Sequence, residues 1–68
     1  MSPMLPSVME TVVKDIERAQ TALDELVDVV ADMRLSGMDT TARDAQVADL
    51  TKRLRSLRTF YEIRKAKG

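Results

Sequence analysis

The chain has 68 residues, 44% of them hydrophobic and 32% charged, with no cysteine and no histidine. That excludes disulfides, the common zinc ligands and thiolate or imidazole catalysis, and the length allows one small domain. The net charge is zero, but residues 1–38 carry three basic and seven acidic side chains while residues 39–68 carry eight basic and four acidic, so the halves stand at −4 and +4.

The opening stretch, residues 1–6, reads as a flexible arm without the basic and apolar segments of a signal peptide. No apolar run approaches the ~20 residues of a membrane span, so a cytoplasmic protein is expected. Pro6-Ser7-Val8-Met9-Glu10 then has the form of a helix start, with Ser7 and Glu10 spaced for a reciprocal capping box. The first helix is predicted over residues 8–35. Met9, Ile16, Leu23 and Val30 repeat every seven residues, and so do Val12, Ala19, Leu26 and Met33. Two such rows hold an apolar stripe on one side of a helix.

Ser36-Gly37-Met38-Asp39 breaks the repeat. Gly37 suits the left-handed residue that ends a helix. Asp39, Thr40 or Thr41 can cap the next one, with Asp44 in its first turn. The second helix is predicted over residues 40–65, with a stripe of Val47, Leu50, Leu54, Leu57 and Tyr61. Asp49 with Arg53 and Arg58 with Glu62 are spaced as i,i+4 ion pairs.

A short connection makes two long helices antiparallel neighbours, so the expected fold is an all-α, antiparallel two-helix hairpin. The register sets Val30 against Val47, Leu26 against Leu50, Leu23 against Leu54, Ala19 against Leu57 and Ile16 against Tyr61. It also places Arg43 opposite Met33 and Arg64 opposite Val12, where only their stems suit an apolar seam. The opposite charges of the two halves are expected to help the helices pair.

The first helix has more apolar surface than one neighbour covers. Val8, Ala22 and Val29 flank the seam on one side, Val13 and Val27 on the other. Phe60 and Ile63 add to the second helix and are expected near Met4, Leu5, Val8, Met9 and Val12. This surplus suggests two occupants: a second copy, giving a dimeric four-helix bundle, or a different protein. The candidate protein-binding residues are Met9, Val12, Val13, Phe60, Tyr61 and Ile63.

Two charged features admit other chemistry. Asp24, Asp28 and Asp32 form an acidic ridge, read as a solvated face because a straight ridge does not converge on a cation. Lys52, Arg53, Arg55 and Arg58 form a basic run that can neutralise phosphates, making a nucleic-acid-associated protein one alternative function; a secretion chaperone or structural four-helix-bundle subunit, in which dimerisation buries the whole stripe, is the other. Their directions around a helix straddle the apolar stripe. No glycine-rich phosphate loop is present, and a two-helix hairpin offers no concave site to shift a carboxyl group, so neither enzyme activity nor a cofactor or metal is expected.

Leu35-Ser36-Gly37-Met38-Asp39-Thr40-Thr41-Ala42, followed by Leu50, Leu54 and Leu57, resembles the turn and second helix of small helical-hairpin proteins from proteobacterial genomes and mobile elements. Proteins of this kind include quorum-sensing antiactivators, which bind LuxR-type transcriptional activators and block them. Others serve as secretion chaperones and structural subunits. The resemblance spans about half the chain and transfers no individual functional residue. It implies a regulatory binding protein that sequesters a transcription regulator through its apolar helix face.

Overall fold

A computed structural model describes residues 6–68 and contains two helices, α1 (Pro6–Leu35) and α2 (Thr41–Lys67), packed as a hairpin. At 1.5 Å per residue they are about 45 and 40 Å long. The N-terminal arm expected over residues 1–6 lies outside the described residues except for Pro6, which is helical. Proline suits a first helical position because its fixed φ is already helical and its missing N–H had no partner to lose. Ser7 therefore sits inside the first turn instead of capping it, and its carbonyl accepts a hydrogen bond from the Thr11 hydroxyl.

The turn ends α1 through backbone geometry. Gly37 adopts φ +77°, its amide donates to the Arg34 carbonyl, and the Met38 amide donates to the Met33 carbonyl. This is the Schellman arrangement, which satisfies carbonyls that the helix leaves unpaired. Ser36 Oγ donates to the Asp32 carbonyl as well.

The start of α2 selects one of the three expected caps, Asp39. Thr40 occupies the cap position but makes no capping bond with its side chain. Asp39 takes that role from one residue earlier, accepting from both the Thr41 amide and the Thr41 hydroxyl through Oδ1. Thr40 is instead buried, and its hydroxyl donates to Asp44 Oδ2. The same Asp44 carboxylate receives Arg34 Nη2 at 2.6 Å, tying the end of α1 to the beginning of α2. At the far end Gly68 closes α2, its amide donating to the Arg64 and Lys65 carbonyls.

The expected stripes are the ones that pack. All eight heptad positions of α1 and all five stripe residues of α2 are buried or half-buried. The core itself is thin. Among the described residues only Ala19, Val30 and Leu54 are buried apolar side chains, Val30 and Leu54 at 2% and 3% exposure. Two cylinders touch along a line, so each seam residue is covered from one side and open on the other.

Candidate interaction surfaces

The heptad repeat divides what lies beside the seam into two flanks. Val13, Gln20, Val27 and Arg34 follow one another at seven-residue intervals along α1, and Asp44, Thr51, Arg58 and Lys65 do so along α2. These two rows face each other. Arg58 Nη2 donates to Gln20 Oε1 at 2.7 Å, and Arg34 meets Asp44. Both interhelical side-chain hydrogen bonds among the described residues therefore lie on this flank, which they close at its middle and at the turn.

The far end of the same flank stays open. Met9, Val13 and Tyr61 line a hollow of about 440 Å³, rimmed by Glu10, Lys14 and Glu17. Lys65 Nζ stands 5.8 Å from the Tyr61 ring centre, one helical turn along α2, and leaves the ring half-buried. The result is an apolar floor with charged walls.

The opposite flank carries Val8, Asp15, Ala22 and Val29 on α1, against Gln46, Arg53 and Phe60 on α2. No polar bond between the helices spans it among the described residues. A groove of about 580 Å³ runs along its turn-proximal half, with Ala22, Leu26, Val29 and Leu50 as the floor and Glu25 and Arg53 on the rim. Arg43, expected opposite Met33, is exposed on that rim and donates to Gln46 Oε1.

The six candidate anchors divide between these surfaces. Met9, Val13 and Tyr61 meet at the far-end hollow, and Val12 is half-buried in the seam beside them. Phe60 is turned about 100° from Tyr61 around α2, toward the other flank, and Ile63 points further from the seam. Both are exposed. Of their expected neighbours, Met4 and Leu5 lie outside the described residues. The sequence reading missed Thr40 as a seam residue, although it stands seven residues before Val47. It also missed the exposed Leu35 and Met38 at the turn.

The charged features are placed as follows. Asp24, Asp28 and Asp32 are exposed along α1, and Asp24 accepts from Gln20 Nε2. No group of three or more potential metal ligands converges among the described residues. Arg53 lies at the open groove, Arg55 and Arg58 beside the Gln20 flank, and Lys52 on the outer side of α2. The basic run is thus spread around the helix.

The charge difference between the helices forms no close ion pair in its own sense among the described residues. Their one interhelical ion pair joins a base of α1, Arg34, to an acid of α2, Asp44, against the sense of the split. Neither Asp49–Arg53 nor Arg58–Glu62 closes to an ion pair, and Arg58 turns to Gln20 instead. Exposed pairs at i,i+4 gain little from closing, because ordering two long side chains offsets the attraction. The carboxyl of Asp39 is held below its ordinary pKa, first by the hydrogen bond from the Thr41 hydroxyl and then by the one from its amide. No helix is long and apolar enough to cross a membrane among the described residues. No known protein family, curated protein or solved structure matches the chain.

Proposed function

We propose that this protein is a small regulatory binding module that sequesters another protein, with a LuxR-type transcriptional activator as the first partner class to test. The observation that carries the reading is the open hollow of Met9, Val13 and Tyr61, an apolar floor inside a charged rim at the end of a thinly packed hairpin. Interfaces are commonly built this way, with a desolvated aromatic or aliphatic anchor at the centre and polar groups around it. A helix of the partner would lie against Met9, Val12, Val13 and Tyr61. Glu10, Lys14 and Glu17 would set its orientation and speed the encounter. Phe60 and Ile63 lie round the helix from this floor and are secondary contacts.

The test is affinity capture from the native host's lysate with the wild-type chain and with Tyr61→Ala, at two salt concentrations and after nuclease treatment. One transcription regulator should be recovered at both salts and lost with Tyr61→Ala, while circular dichroism shows the helices intact. Equal recovery by Tyr61→Ala removes the hollow from the proposal. Recovery of nucleic acid alone, lost at high salt, replaces the proposal with a phosphate-binding role for Lys52, Arg53, Arg55 and Arg58.

A further inference from the structure

We infer that the groove flank docks on the same flank of a second copy of this chain, with each α1 lying against the other copy's α2 and both turns at one end of the resulting four-helix bundle. Three observations lead there. The first is the asymmetry of the flanks. The Gln20 side is closed by two interhelical polar bonds, whereas the Ala22 side has none and keeps an apolar floor of Ala22, Leu26, Val29 and Leu50. Val29 stands there 51% exposed within two turns of the end of α1, beside that apolar floor, whereas Val27, 49% exposed, stands between the two bonds of the other flank.

The second is size. A face about 40 Å long and two helix diameters wide offers about 800 Å² per copy, the area a stable pairwise interface covers on each partner. A hairpin with three buried apolar side chains among its described residues gains from such a cover, because association supplies the second wall that a line contact lacks.

The third is charge, and it fixes the arrangement. Two hairpins stacked face to face can be related by a two-fold axis along the helices or by one across them. An axis across the helices sets α1 against α1 and α2 against α2, acid on acid and base on base. The axis along the helices sets each α1 against the other copy's α2. Every neighbouring pair in the bundle is then antiparallel and opposite in charge. The −4 and +4 halves remain available for this purpose, since among the described residues of one chain they form no ion pair in the sense of the split. In this arrangement a residue of α1 meets α2 of the second copy at the level it already occupies beside its own α2. Glu25 therefore comes level with Arg53 of the second copy, and Val29 with its Gln46 and Leu50. The groove is distinct from the far-end hollow, and of the proposed partner contacts Phe60 also belongs to the groove flank, so the dimer is read through Val29 and the partner through Tyr61.

Sedimentation equilibrium of the wild-type chain and of Val29→Glu tests the face. The wild type should be a dimer, and Val29→Glu should raise the dissociation constant at least ~10-fold by placing a carboxylate in an apolar contact. The helix content of Val29→Glu should be unchanged, since half of that side chain is already in solvent. Should that variant lose helix, Ala22→Arg, exposed on the same flank, replaces it. The chain has no cysteine, so a spin label on Leu35→Cys is unique and sits at the turn. Turns at one end put two labels within about 30 Å, whereas turns at opposite ends separate them by a helix length, about 40 Å or more. A wild-type monomer at ~100 μM, above the Kd of a weak association, overturns the dimer. A dimer indifferent to Val29→Glu overturns the face, and the long label distance overturns the arrangement.

Discussion

Leu54→Ala tests the seam most directly. Leu54 is the large apolar side chain of α2 that the hairpin buries, at 3% exposure, while Leu50 and Leu57 one turn away on either side are half-buried. Truncation removes three carbon groups from contact with α1, about 2.4 kcal/mol of transfer free energy at ~0.8 kcal/mol each. A rigid core would add a cavity term, but half-open neighbours can settle into the gap. The expected loss is about 2–3 kcal/mol, near the low end of measured leucine truncations. That is about two-fifths or more of the ~3–5 kcal/mol that a core of this size supplies. Leu57→Ala, starting partly exposed, should cost less. The comparison is best made by urea unfolding, followed by far-ultraviolet circular dichroism, with both changes introduced into Val29→Glu. Association then adds no concentration-dependent stability to either variant. A loss below about 1 kcal/mol for Leu54→Ala, or a loss no larger than that of Leu57→Ala, would refute the seam as described.

Four smaller perturbations follow from the turn and the helix ends. Gly37→Ala meets no neighbouring atom within 4 Å but keeps a left-handed φ of +77°, so it should cost about 1 kcal/mol in urea unfolding, from backbone strain alone. A double-mutant cycle on Arg34 and Asp44, whose side chains are 60% and 45% exposed, should give a coupling below about 1 kcal/mol that shrinks as salt rises. Because the Asp39 carboxyl is held below its ordinary pKa, the hydrogen bonds it accepts stabilise the fold above the unfolded-state value and are lost as pH falls through the folded one. In an acid titration by NMR, the Thr41 amide should shift together with the Asp39 carboxyl, and Asp39→Asn should abolish that step. Arg64 is half-buried with an unpartnered Nε, so Arg64→Met should hold or raise the unfolding midpoint, whereas a clear drop would show that the guanidinium is needed.

Much of this architecture was legible along the chain. Two rows of apolar residues seven apart can share one face only on a helix, and Gly37 is the residue a left-handed helix end favours. The hairpin and its seam residues could therefore be read from Met9, Val12, Leu26, Val30, Leu50 and Leu54 without a structure. The helix ends were less legible because local hydrogen bonding has several near-equal solutions. Ser7 is a competent cap, yet Pro6 continues the helix past it. Asp39, Thr40 and Thr41 are all competent, and burial of Thr40 against Asp44 decided among them.

What only the tertiary structure decided is how the surplus surface is divided. Periodicity placed Val29 on one flank of the seam, Val13 and Val27 on the other and Tyr61 within it, but it did not say which flank the facing helix would close. Packing brings Gln20 to Arg58 and Arg34 to Asp44, which closes one flank and leaves the other open. Such bonds depend on which side chains two helices bring within about 3 Å of one another. A one-dimensional repeat fixes which way a residue points on its own helix. It does not fix which group on the other helix will be there to meet it.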